Sequence, residues 1–221
     1  MEDRHIEIIN FAIGLPKTMR YGNQKEMNTG ICKEKTEEAF LTKEGFRGDG
    51  VANLKDHGGP DRAVCIYPHE HYQLWEREFN ISLPSSAFGE NLTVANMLER
   101  DVCIGDIYQL GDAVIQITQG RIPCSTITKR TNVQGLLKRI VETGYTGYFC
   151  RVLEEGSVRR HSTMKLIKPH PQQVSILFAN EIYFHKKTDI EGIKKVLEVQ
   201  ELANEWRESL TERLNKLIAS V

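Results

Sequence analysis

No uninterrupted apolar run in this sequence approaches the ~20 residues a membrane-spanning helix requires. The opening "MEDRHIEIIN" is charged where a secretory signal would carry an apolar stretch. The expectation is a cytoplasmic protein with no membrane partner. Cysteine is sparse, with five residues at 32, 65, 103, 124 and 150. Their odd number, wide spacing and lack of any C-x-x-C pair argue against a disulfide scaffold, a zinc knuckle or an iron–sulfur cluster. Basic residues form no stripe and the net charge is −1, so no nucleic-acid partner is expected. The glycines make no nucleotide or flavin fingerprint, and there is no internal repeat or low-complexity segment. What remains is a balance of 40% hydrophobic and 27% charged residues over 221 positions. That suffices for one large domain, or a domain with a smaller appendage.

The first two thirds read as short strands cut by glycine turns. "HIEII", "AVCIY" (63–67) and "NLTV" (91–94) are compact apolar runs, and "YFCRVLEEG" and "MKLI" supply later strands. In "DIYQLGDAVIQIT" two such runs flank Gly111-Asp112, the pattern of a two-residue hairpin. Many short strands with such turns predict a mainly β fold, a barrel or a sandwich. Two helices interrupt them. "PHEHYQLWEREF" starts with Pro68 in its first turn and puts Tyr72, Trp75 and Phe79 on one face. "NVQGLLKRIVETG" gathers Val133, Leu136, Leu137, Ile140 and Val141, with Thr131 or Asn132 as N-cap and Gly144 as C-terminal cap.

Two prolines in "KPHPQQ" (168–173) mark a boundary. The chain divides into a β domain over 1–168 and a three-helix segment over 172–221. In the latter, Trp206, Leu210, Leu214 and Leu217 form one stripe. Three short helices bury little area alone, so they must dock on the β domain or on a partner subunit. The second case would make a homodimer.

Several stretches could carry chemistry. Gly58-Gly59-Pro60 in "DHGGPDRAV" allows close backbone approach, with His57 and Arg62 presented to an anion at a strand end. The same residues equally describe a tight turn stapled by an Asp61–Arg62 pair. His57, Cys65, His69 and His71 invite a metal reading, but two residues apart on a helix His69 and His71 point in different directions. "RGDG" (47–50) reads as a plain loop. In "FGENLTV", Asn91 can offer an acceptor and two donors to a polar ligand, or make an ordinary turn bond.

Cys124 in "QGRIPCST" has two readings. Free cysteine is usually buried and inert. Arg121, three residues earlier, is a cation that can favour the thiolate needed for attack or metal ligation, and Pro123 stiffens the approach. No histidine is placed beside Cys124 by local argument, which disfavours a Cys–His thiol hydrolase.

Taken in order, "HGGPDRAVCIYPHEHYQLW", "FGENLTV", "DVCIGDIYQLGDAVIQITQGRIPC" and the helical tail resemble the MOSC-domain proteins. These are named for the molybdenum-cofactor sulfurase C-terminal domain. The likeness is to the stand-alone YiiM-type members with a C-terminal three-helix extension, and it covers nearly the whole chain. Each stretch alone is weak; order and spacing carry the resemblance. It implies a closed β-barrel-like domain that binds a molybdenum–pterin cofactor (molybdopterin with molybdenum). Cys124 is then the thiolate metal ligand and catalytic residue, since molybdenum takes soft anionic donors. Arg62 and Arg121 suit the cofactor phosphate, with His57 at the same strand end and Lys17 a further contact. Asn91 would hold the pterin edge, and Ser125 and Thr126 the cofactor oxygens.

Related members reduce N-hydroxylated small molecules, including hydroxylamino bases, to amines. Such an oxidoreductase would draw its electrons from a separate reductase. The alternative is a non-catalytic carrier of the cofactor, or of sulfur held as a persulfide on Cys124. At Gly89 the pattern departs from superfamily members that carry an arginine there, which would leave anchoring to Arg62 or Arg121.

Overall fold

The computed structural model describes residues 5–53 and 58–219. The apolar runs named above become strands, and further strands that no such run announced form among them. These are β1 (Glu7–Ile13), β2 (Lys17–Tyr21), β3 (Lys25–Thr29), β4 (Glu34–Lys35), β5 (Glu38–Thr42) and β6 (Gly45–Phe46). There follow β7 (Val64–Pro68), β8 (Leu92–Ala95), β9 (Ile107–Leu110), β10 (Ala113–Gly120), β11 (Tyr148–Glu154), β12 (Gly156–Arg159) and β13 (Met164–Lys168). The hairpin expected at Gly111-Asp112 joins β9 to β10, with Ala113 opposite Leu110.

Eight strands form one sheet in the order β13-β9-β10-β11-β7-β8-β1-β4. The sheet curls until Ile6, just before β1, meets Met164 in a single bridge. No ladder joins β13 to β1 among the described residues, so a closed barrel overstates the architecture. The sheet is a curled half-barrel pinned at one point, because β13 runs its ladder with β9 and β1 runs its own with β8 and β4. Strand β10 is buried at every residue. Its two pleat faces alternate, and Ile115 and Ile117 join the main core while a tail helix packs against the strand.

All pairs in this sheet are antiparallel except β7 and β8, where Ile66 pairs with Leu92. A parallel pair needs a crossover, supplied by α1 (His69–Phe79). Pro68 ends β7 and caps the helix from outside its first turn. Tyr72 and Trp75 are buried as the periodicity predicts, in a second core with Met19, Ile31, Phe88, Ile127, Leu136 and Ile140.

The second expected helix starts later than its pattern and is preceded by one that was not expected. Thr126–Thr131 forms α2, which ends at Asn132 in the left-handed conformation, and Leu136–Thr143 forms α3. Asn132, expected as an N-cap, is instead the C-cap of a helix that begins two residues after Cys124. Gly144 caps α3 as expected.

The tail forms α4 (Ile176–Phe184), α5 (Ile190–Leu197) and α6 (Asn204–Ala219). Ser175 and Asp189 cap α4 and α5 through their side chains, at Phe178 N and Gly192 N. Trp206 and Leu210 are fully buried, and Leu214 and Leu217 pack against the same core that fills the half-barrel. The stripe is therefore used within the chain and carries no argument for a homodimer. No helix among the described residues is long and apolar enough to cross a membrane.

Candidate functional site

Cys124 lies in the turn from β10 to α2, half-buried, and its carbonyl accepts the Ile127 N–H at 3.1 Å. Ser125 beside it is exposed and caps no backbone N–H, and Thr126 opens α2 half-buried. Arg121 anchors the other end of the turn, its N–H donating to the Gly147 carbonyl at 3.0 Å. Three of the other four cysteines are shifted upward. Burial holds the Cys65 thiol up to about 11 against the pull of Arg121, and it raises Cys150 well above its ordinary range. Burial also takes Cys103 to about 11, with Asp106 and Asp101 adding to the effect. Those three persist as neutral thiols at physiological pH.

From Arg121 a chain of contacts runs inward. Its Nη1 lies 4.0 Å from Cys65 Sγ. Cys65 N donates to Asn91 Oδ1 at 3.0 Å, and Asn91 N returns a bond to the Cys65 carbonyl at 2.9 Å. Asn91 Nδ2 donates to Asp49 Oδ2 at 2.9 Å and to the Ala12 carbonyl at 3.3 Å. Asp49 also accepts the Gly14 N–H at 2.8 Å and forms an ion pair with Lys33, whose side chain is 5% exposed. Asn91 is thus held by backbone and carboxylate, and these bonds occupy the donors and acceptor that a pterin edge would use. Its role here is to tie the parallel strands β7 and β8 to the first loops. The "RGDG" loop likewise carries a half-buried anchor, Asp49.

The remaining expected residues lie elsewhere. Arg62 ends a short 3-10 turn (Pro60–Arg62) and pairs with Glu205 of α6, while Asp61 pairs with Arg151 at 2.7 Å. The stapled turn is real, but its partners come from β11 and the tail and not from each other. Lys17, on the exposed β2–β3 hairpin, pairs with Glu34 at 2.5 Å. That hairpin reaches α2, where Lys129 sits over the Tyr21 ring at 5.0 Å. His57 lies outside the described residues. At Gly89 the backbone has φ +77°, and a Cβ would stand 2.8 Å from Ile31 Cγ1, which leaves no room for the arginine expected by the departure noted above.

Two buried carboxylates were missed. Glu90 accepts bonds from Tyr72 Oη at 2.5 Å, Thr93 Oγ1 at 2.8 Å and Phe88 N at 3.2 Å. Glu99 pairs with His71 at 2.7 Å and accepts the Gly147 N–H at 2.8 Å. Glu90 stands inside the "FGEN" stretch, so its position was visible though its partners were not. Glu99 and Lys33 carried no local signal at all.

Whether the Cys124 turn fits a pterin-bound molybdenum is a question for its donor set. The turn offers one sulfur, the soft ligand molybdenum prefers. It adds the half-buried guanidinium of Arg121 and the free capping hydroxyl of Ser125. On α2, the buried Nε of Arg130 makes no hydrogen bond, a donor left over for an anion. In kind, the residues fit the group.

A curled half-barrel with a cysteine turn at the end of a buried strand, braced by three helices, defines a class. The chain belongs to the MOSC domain family, whose model matches residues 53–165. A second model, the YiiM-like 3-alpha helix domain, matches residues 174–217. The Bacillus subtilis protein YflK is 39% identical over 219 residues, 99% of each chain. A protein of Gibberella moniliformis named as a reductase is 37% identical over 154 residues, 66% of this chain and 27% of that one. The crystal structure of YiiM from Geobacillus stearothermophilus superposes with a TM-score of 0.80 at 31% identity, covering 95% of this chain and 99% of that one. MOSC domains are associated with the molybdenum cofactor, and the chain's function is related to that cofactor.

Proposed function

We propose that the protein is a molybdenum-cofactor-dependent oxidoreductase that reduces N-hydroxylated compounds, such as hydroxylamino bases, to amines. The observation that carries this reading is the position of Cys124, half-buried on an arginine-flanked turn while Cys65 and Cys150 are sealed in the core. The bound cofactor would supply the two-electron chemistry by which an N–OH group, with two protons, becomes an amine and water. The chain's own residues do the rest. Cys124 presents its thiolate to the metal. Arg121 and Arg130 offer guanidinium donors to the cofactor phosphate, and Ser125 and Thr126 offer hydroxyls beside the thiolate. Arg62 could join them only by leaving Glu205. The electrons come from a separate reductase protein.

The test is expression in a host that makes the cofactor, followed by metal analysis and an assay with a hydroxylamino base and a reduced viologen. Stoichiometric molybdenum and turnover, both lost in Cys124→Ser, are expected. Full metal content in that variant overturns the role of Cys124. Metal without turnover makes the protein a carrier.

A further inference from the structure

We infer that Glu99, held by His71, is a positioning residue for the turn that carries Cys124. The inference rests on the cofactor reading only for what Cys124 binds. The geometry forms a relay. His71 Nε2 donates to Glu99 Oε2 at 2.7 Å, and Glu99 Oε1 accepts the N–H of Gly147 at 2.8 Å. The carbonyl of that same residue accepts the Arg121 N–H at 3.0 Å. One carboxylate therefore fixes the residue on which the Cys124 turn hangs.

Three features make this an imposed arrangement rather than ordinary packing. Gly147 has φ +71°, and a Cβ there would stand 2.6 Å from the Ile66 carbonyl oxygen, so the peptide is threaded through a gap only glycine passes. The His71 and Glu99 side chains are 4% and 1% exposed. Even so, the pair borders a cavity of about 150 Å3 lined also by Glu70, Leu74, Leu98, Arg100 and Tyr145. On the carboxylate itself the hydrogen bonds are those to His71 and Gly147. Two members of the relay are otherwise anchored. The Glu99 carbonyl accepts the Leu177 N–H of α4 at 2.8 Å. The His71 ring stacks on Tyr145 at 4.3 Å, two residues before Gly147.

The experiment measures the iodoacetamide alkylation rate of Cys124 in folded protein by peptide mass spectrometry. Cys150, fully buried, reports global opening in the same sample. In Glu99→Ala and in His71→Leu, Cys124 should react about threefold faster or more, with Cys150 still protected. Glu99→Gln keeps an acceptor for Gly147 and should return the rate to that of the wild type. His71→Leu keeps the Glu99 carboxylate but removes the partner that holds it against Gly147, and it serves if Glu99→Ala does not fold. An unchanged Cys124 rate in a folded variant overturns the inference, and so does a rise matched by Cys150. Wild-type protein lacking molybdenum, with this coupling present, overturns the cofactor reading and leaves the positioning role standing.

Discussion

Arg62 of the β domain and Glu205 of the last helix form an ion pair in which the arginine side chain is 9% exposed and the glutamate 43%. Beside it, the N-terminus of α6 is capped from outside its own chain segment, Asn204 N donating to Asp61 Oδ2 at 3.0 Å. The neighbouring Ala203 N–H goes to the Thr118 carbonyl of β10 at 3.2 Å. The tail is thereby bonded to the strand that leads to Cys124 and to the turn that precedes β7.

Glu205→Gln removes the charge from a half-exposed partner and leaves Arg62 largely buried. Solvent screening at Glu205 reduces the cost, so a loss of about 1–2 kcal/mol is expected. Urea unfolding of the two proteins measures it.

Lys33 and Asp49 are more deeply placed, at 5% and 13% exposure. Asp49→Ala strands a buried ammonium, deprives Gly14 N of its acceptor and leaves Asn91 Nδ2 with the Ala12 carbonyl alone. A loss of about 3–5 kcal/mol is expected, read as a shifted midpoint in denaturant. Lys33→Met leaves Asp49 with two hydrogen-bond donors and should cost less.

Stability should fall on the alkaline side. Cys65 is raised by burial from 9.0 to about 11, and Cys150, Tyr67, Tyr72 and Tyr148 are raised for the same reason. The unfolded chain releases these protons first, so their contribution is fully present below the unfolded values. It is lost as pH climbs from about 9 through the folded values. Thermal midpoints measured between pH 7 and pH 11 should decline above pH 9.

Trp206 is buried completely, stacked on Tyr183 at 4.3 Å, in the core shared by tail and sheet. Trp206→Ala should cost about 3–5 kcal/mol. Because the core is continuous, calorimetry of the intact protein should give one cooperative transition. Two separated transitions would mean that the tail, though docked, folds as an independent unit.

The strands of the large sheet other than β4, the hairpin turn and the tail helices were legible, because each rests on local pattern: apolar runs, Gly111-Asp112, and a helical period through Trp206 and Leu210. Strands β2 to β6 and β12 carry no such run and were not legible. The helix at Thr126–Thr131 was not legible, since its residues include β-branched Thr and Ile and its burial comes from the second core. Cys124 and Arg121 stood out by adjacency. Asn91 and Arg62 were noticed for their chemistry, but partners 42 and 143 residues away, at Asp49 and Glu205, decided what they do. Closure of the sheet was overestimated because it came from the family resemblance; pattern identifies strands and says nothing of which edges meet.

That meeting of edges has a consequence for how the molecule is made. Ile6 waits for Met164, so on the ribosome nearly the whole β domain must emerge before the sheet can be pinned. Until then the β1 side of the sheet is an open edge able to pair with another nascent chain. The tail follows directly, and its arrival covers β10. Synthesis order thus makes a late window of self-association, which cooling or dilute expression should narrow.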